Sequence, residues 1–202
     1  MTILTITGPT CSGKTTVEAK LQQMGCGRTI SHTTRWPRAS EVNGEHYHFV
    51  TDDEFDILQA AGKFVENTKF GSCRYALSAD SIRTAQHSAA HSVIVADPHG
   101  VAQIKDFCLD NGLGIVSIWV DCLPQTQARR WMARLMSDMV VGKDVLGGYT
   151  ERLGIMLGEE ARWRVNTYVP VTQHSAYDLL LSSDLETPDQ LAERISRYLA
   201  TK

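Results

Sequence analysis

Residues 8–16 read GPTCSGKTT, and the fold turns on them. Gly8, Gly13, Lys14 and Thr15 match the phosphate-loop pattern G-x-x-x-x-G-K-[ST]. Glycines let the backbone curl round a phosphate with several N–H groups facing inward, and the following helix adds the positive end of its dipole. Lys14 can then bridge the outer phosphates of a triphosphate, and the Thr15 hydroxyl can ligate Mg²⁺. Such a match arises by chance in about one chain in a hundred of this length, so the context decides. Met1–Thr7 alternates Thr with Ile and Leu, a strand pattern ended by Gly8-Pro9. Lys14–Gln23 reads as a helix closed near Gly25 and Gly27. Strand, glycine loop and helix form the setting in which Gly8, Pro9, Thr10, Cys11, Ser12, Gly13, Lys14, Thr15 and Thr16 cradle phosphates. Cys11 reads either as a thiol in a positive field or as a small residue at a variable loop position.

Further along, short strand patterns run over 28–34, 46–50, 63–70 and 75–78. Among them lies a helix opened by a Thr51/Glu54 capping box and ended by Gly62. Residues 78–90, SADSIRTAQHSAA, read as a helix returning to the core. A parallel-sheet rhythm follows: buried strands at 92–96 and 115–120, helices at 101–110 and 124–136, a late strand at 177–181. Thr187, Pro188 and Gln190 open a last helix. The expectation is an α/β fold, a parallel sheet flanked by helices with a small mixed insertion. Its core comprises residues 1–30, 91–125 and 153–202, the insertion 31–90, and a glycine-bearing lid region 126–152.

The whole chain has 202 residues and a net charge of −3, which argues against a broad nucleic-acid-binding surface. Its five scattered cysteines form no C-x-x-C pair and read as reduced thiols. No apolar run approaches the roughly 20 residues that span a bilayer, and MTILTIT is too short and β-branched for a leader. The expectation is a cytoplasmic protein with small-molecule nucleotide partners, no nucleic acid and no membrane.

The acceptor side is read from SHTTRWPRASEVNGEHYHFVTDDEF, residues 31–55. Arg35 and Arg38 beside Pro37 offer guanidinium forks suited to a phosphate dianion, and Tyr47 adds a hydroxyl donor. This stretch resembles the guanylate kinase family's S-x-T-T-R-x-P-R followed by E-x-x-G-x-x-Y-x-F. AGKFVEN (61–67), CRYALS (73–78), VIVADPHG (93–100), RRWMAR (129–134) and ERLG (151–154) resemble further family segments in the same order. The likeness covers most of the chain, to about Asp184, and implies a P-loop nucleoside-monophosphate kinase fold.

By that resemblance the chain transfers the γ-phosphoryl group of Mg-ATP to GMP or dGMP. Arg35, Arg38 and Tyr47 correspond to the monophosphate clamp, Ser31 to a residue that holds the base or the phosphate, Glu41 to the acidic residue after the clamp, and Tyr75 to a further substrate-binding residue. Glu66 corresponds to the carboxylate that accepts from guanine N1–H and its 2-amino group. Asp97 corresponds to the second Asp of D-x-D, and Arg130, Arg134 and Arg152 to lid arginines over the triphosphate. Lys14, Arg38, Asp97, Arg134 and Arg152 would act in catalysis. A capping role for Asp97, and ordinary helix-surface roles for the arginines, stay open.

Some positions depart from the family. Leu77 stands where a hydroxyl usually faces guanine O6, Ala76 replaces a glycine, Val95 replaces the first Asp of D-x-D, and Ser182–Asp184 replaces N-D-D. These motivate a second expectation, a kinase for a modified or different (deoxy)nucleoside monophosphate. A third is an inactive guanylate-kinase-like module that binds proteins, which the intact phosphate loop disfavours. His46 and His48 share a strand face without an obvious third metal ligand.

Overall fold

A computed structural model describes residues 1–37, 41–140, 146–158, 160 and 177–202. Side chains of 138, 140, 146–149, 151 and 152 lie outside this description. The chain divides into two compact units, one of Met1–Thr5 with Gln22–Ile115, the other of Ile6–Leu21 with Val116–Lys202.

The first unit holds two sheets. β1 (Thr2–Thr7) begins here and neighbours β7 (His91–Val95), which pairs in parallel with β2 (Gly27–Arg28). The second sheet has the order β4-β3-β6-β5, made of His48–Phe49, His32–Thr33, Cys73–Ser78 and Phe64–Phe70. β3 runs parallel to β4 and antiparallel to β6, so this sheet is mixed. The sequence predicts one strand over 28–34; the structure has two, in different sheets. Thr29 Oγ1 donates to Val93 O at 3.0 Å, and Ile30 O accepts from Ser81 Oγ at 2.7 Å. The polar groups between the strands are thus satisfied outside either ladder, and the chain can cross over.

Helices α2 (Asp52–Ala60), α3 (Ala79–Ser88) and α4 (Pro98–Asp110) complete this unit. The Thr51/Glu54 capping box forms as the sequence predicts, and Gly62 takes φ +64° just past the helix end. Ser78 caps α3 and Asp97 caps α4. Ile3, Leu77, Ile82, Ile94, Ile104 and Cys108 form a buried cluster drawn from both sheets and from α3 and α4. Each such aliphatic side chain contributes roughly 1.5–3 kcal/mol by leaving water.

In the second unit the end of β1 neighbours β8 (Gly114–Asp121), which pairs in parallel with β9 (Leu179–Ser182). Helix α1 (Lys14–Gln23) starts at Lys14, as predicted. α5 (Pro124–Val140), α6 (Leu146–Leu157) and α7 (Pro188–Leu199) follow, α7 opening on its predicted capping box. Strands alternating with helices, and the parallel β2–β7 and β8–β9 pairs, make this an α/β fold.

Candidate functional site

The phosphate loop connects β1 to α1. Gly8 has φ +148°, and a Cβ there would lie 2.0 Å from Val120 O, so no other residue fits. Gly13 has φ +102°, and between them Cys11, although not glycine, sits at φ +61°. Lys14 Nζ donates to Gly8 O at 2.8 Å and Pro9 O at 2.7 Å. The lysine therefore lies over its own loop, where its charge faces whatever the loop encloses. Ser12 Oγ is buried without a hydrogen-bond partner among the described residues, a polar atom in the loop wall that a bound oxyanion could satisfy. Thr15 and Thr16 are exposed in the first turn of α1.

Side chains far away in sequence hold the loop. Arg130 on α5 donates from Nη1 to Cys11 O at 3.2 Å and to Ser183 Oγ at 2.8 Å, and from Nη2 to Ser183 O at 3.2 Å. The serine that departs from the family pattern thus orients an arginine against the loop. Asp184 accepts from Leu123 N, and its carboxyl is held below the ordinary range: burial raises it, and hydrogen bonds from Thr126 and Leu123 with the charges of Arg130 and Arg129 outweigh that. Glu160 Oε1 accepts from Thr10 N at 2.8 Å and Thr10 Oγ1 at 2.6 Å. The sequence reading missed Glu160, which no local pattern marks, and noted Ser183 only within the Ser182–Asp184 departure, without its bond to Arg130. Arg134 is half-buried one turn beyond Arg130. Arg152 falls in α6, its side chain outside the described residues.

Residues 31, 35, 41, 47, 66 and 75, which the resemblance gives to the acceptor, belong to the first unit. Arg35 forms a two-pronged ion pair with Glu41, Nη1–Oε2 3.0 Å and Nη2–Oε1 2.9 Å, and Nη1 also donates to Trp36 O at 2.7 Å. Its guanidinium lies 5.5 Å from the Tyr47 ring centroid and 5.7 Å from that of Phe49. Tyr47 and Tyr75 meet edge-on at 6.1 Å. Burial works to lower the Arg35 pKa, but the Glu41 hydrogen bonds and the charges of Tyr75, Glu41 and Tyr47 leave it raised. Three of the five guanidinium donors are engaged in these bonds among the described residues. Ser31 is half-buried, its carbonyl accepting from His48 N at 2.9 Å. Arg38 lies outside the described residues.

Glu66 sits on β5 at 6 % exposure. Its carboxyl is pushed up to about 8, first by burial and then by the charge of Asp97, with the Leu77 N–H partly opposing. A Cβ on Gly100 would lie 2.7 Å from Glu66 Oε1, so that glycine admits the carboxyl against the first turn of α4. Asp97 uses both oxygens in this structure: Oδ1 accepts from Gly100 N at 2.7 Å and Oδ2 from Thr68 Oγ1 at 2.6 Å. The capping role left open by the sequence is realised. Leu77 is fully buried in the apolar cluster, so its backbone N–H, rather than its side chain, serves Glu66.

His46 and His48 diverge. His46 Nδ1 accepts from Val42 N at 3.1 Å, while the His48 ring packs 4.7 Å from His32. Burial, then the charge of His48, depresses the His32 pKa to about 4. No cluster of three or more metal-ligating side chains occurs among the described residues.

The family model described as guanylate kinase matches residues 1–134, about two thirds of the chain. The chain belongs to the guanylate kinase family. It is 35 % identical over 115 residues to the guanylate kinase of Neisseria meningitidis serogroup A, covering 56 % of each chain. With that of Sus scrofa it shares 38 % over 103 residues, 50 % of this chain and 52 % of the relative. The chain thus spans about half the length of the curated relatives it matches. In three dimensions it resembles a crystal structure of guanylate kinase from Anaplasma phagocytophilum, with a TM-score of 0.67 at 22 % identity over 99 % of this chain and 85 % of that one. That likeness establishes the P-loop nucleoside-monophosphate kinase fold. Glu160 and Ser183 lie beyond the segment that the family model matches.

Proposed function

We propose that this chain is a kinase that transfers the γ-phosphoryl group of Mg-ATP to GMP or dGMP, giving the diphosphate and ADP. The observation that carries the reading is the intact phosphate loop in a guanylate kinase family chain, with Gly8 wedged against Val120 O and Lys14 over the loop. A protein-binding module would have no need of either. Lys14 and the loop hold the donor phosphates. Arg35, backed by Glu41, with Arg38, Tyr47 and Tyr75 holds the acceptor phosphate, and Ser31 and Glu66 address the nucleoside. An acceptor phosphate oxygen bonds to the γ-phosphorus as the bond to the β–γ bridging oxygen breaks, and that oxygen leaves on ADP. Catalysis is positioning and charge stabilisation, with Arg130, Arg134 and Arg152 over the triphosphate in a lid region of residues 126–152, so no covalent intermediate is needed.

The residues fit Mg²⁺: an exposed Thr15 hydroxyl beside Lys14 is the sort of single protein ligand this ion takes together with phosphate oxygens and water. When bound, the ion neutralises phosphate charge. Five free cysteines support a reducing, cytoplasmic setting. Among the described residues no helix is long and apolar enough to cross a membrane.

The test is an assay of purified protein with Mg-ATP and a panel of ribo- and deoxynucleoside monophosphates. No turnover with any purine monophosphate overturns the reading. A second reading, a modified or different nucleoside monophosphate as acceptor, is favoured by the apolar burial of Leu77 and by Val95. It loses if GMP or dGMP outcompetes every other acceptor in the panel.

A further inference from the structure

Glu160 is 1 % exposed, yet it lies at one end of a three-point hydrogen-bond contact. Oε1 takes both the backbone N–H and the hydroxyl of Thr10, and Oε2 takes Gln127 Nε2 of α5 at 2.6 Å. Thr10 and Gln127 are themselves buried, at 9 % and 3 %. A carboxylate removed from water to this extent is retained when hydrogen bonds replace its hydration. Its partner is the residue immediately before Cys11, whose backbone is left-handed at φ +61°. A non-glycine residue stays in that conformation only when its surroundings over-determine it. Here the N–H on one side of Cys11 is fixed by Glu160, and the Cys11 carbonyl on the other by Arg130. Both Arg130 and Gln127 belong to α5, so one helix supplies a contact to the loop and a contact to the acid.

We infer that Glu160 is the positioning residue of the donor loop: its carboxylate locks the Thr10–Cys11 turn in the form that receives the triphosphate and joins that turn to α5. Glu160 touches no reacting atom, and its effect passes through Thr10. The inference rests on the proposed role of the loop as the ATP site.

The experiment measures ATP affinity by calorimetry on the full chain without acceptor, alongside GMP KM, turnover and thermal stability. Glu160→Ala is expected to weaken ATP binding by about tenfold or more, the range for losing hydrogen bonds to a charged group, with GMP KM within about twofold. Thr10→Val keeps the N–H and removes the hydroxyl, and is expected to weaken ATP binding by roughly threefold to tenfold. Thr10→Ser restores the hydroxyl and is expected to bind ATP more tightly than Thr10→Val. Glu160→Gln retains an oxygen for Thr10, and is expected to recover most of what Glu160→Ala loses. Joined to Glu160→Ala, Thr10→Val adds nothing, because the two share one interaction.

A variant Glu160→Ala that melts earlier but binds ATP as before would make the residue merely structural and overturn the inference. If it does not fold, the Thr10→Val and Thr10→Ser pair decides alone: equal ATP affinities in the two overturn it. Glu160-dependent ATP binding without phosphorylation of any monophosphate would leave the inference standing and remove the kinase reading. Phosphorylation of a monophosphate with an ATP affinity indifferent to Glu160 would do the reverse, and absence of ATP binding by the unaltered chain would remove both.

Discussion

The donor loop and the acceptor cluster hold charge in different ways. The loop presents backbone, its curvature set by Gly8 and Gly13 and kept by Lys14, Arg130 and Glu160, each bonded to main-chain atoms. The acceptor cluster presents side chains whose charge depends on their neighbours: Arg35 clasped by Glu41, and Glu66 buried beside Asp97. The first arrangement tolerates little change in backbone and works at any ordinary pH. The second can be retuned one side chain at a time.

Removing the key charge of the donor half should therefore have the largest effect. Lys14→Ala is expected to reduce turnover by roughly 10²–10³-fold, as for loss of a group that stabilises transferring charge. Single-turnover kinetics with saturating ATP and GMP would show it, and thermal stability should hardly move. Activity unchanged by Lys14→Ala would break the comparison, because the loop would then not be the donor site.

Arg35→Ala is the matching test in the acceptor half, and it should differ in kind. The half-buried Glu41 would lose its fork, so a stability loss of roughly 1–3 kcal/mol should accompany the rise in GMP KM. Urea unfolding and steady-state kinetics read the two effects separately. Arg35→Lys should rescue neither fully, since a lysine is a point charge without the planar fork. ATP affinity should stay near that of the unaltered protein.

This contrast explains what the sequence could disclose. Glycine spacing, a strand before and a helix after suffice to read the loop, because its chemistry belongs to the backbone. The caps at Thr51 and Thr187 were equally legible, being local. Glu160 was not, since it meets Thr10 only through tertiary folding 150 positions away. The split of residues 28–34 into two sheets was also hidden: β-branched residues (Thr29, Ile30, Thr33, Thr34) lie on both sides of it, while the partners that satisfy the crossing, Val93 and Ser81, come from elsewhere. At Leu77 the sequence showed a missing hydroxyl, but its burial in the core emerges only from packing.

That burial sets the next effect. Leu77→Ser, which would restore the family's hydroxyl, removes most of a fully buried side chain and is expected to cost about 3 kcal/mol, seen as a lower urea midpoint. A stable Leu77→Ser protein with sharpened guanine preference would show that the side chain can turn out of the cluster to face the acceptor, and would narrow the difference between the two halves.

The smallest effect is the one that separates the halves by pH. The Glu66 carboxyl ionises near 8 in the folded chain and near 4.5 when free of the fold. Between those values the folded state keeps a proton that the unfolded chain gives up. The contribution of this group to stability is therefore highest below about 4.5, declines as pH rises toward 8, and is constant above. Over pH 6 to 8 the decline should be roughly 2 kcal/mol, and Glu66→Gln, neutral throughout, should remove that slope and be the more stable protein at pH 8. Binding of a base edge that donates N–H groups needs the ionised carboxylate, so acceptor affinity should rise over the same interval in which stability falls. ATP affinity has no reason to share that inflection, because the loop is held by bonds from Lys14, Arg130 and Glu160. Calorimetric titrations of GMP and of ATP from pH 6 to 9 would measure both curves. Parallel pH profiles for the two nucleotides would assign the titration to some other group and leave Glu66 without a part in reading the base.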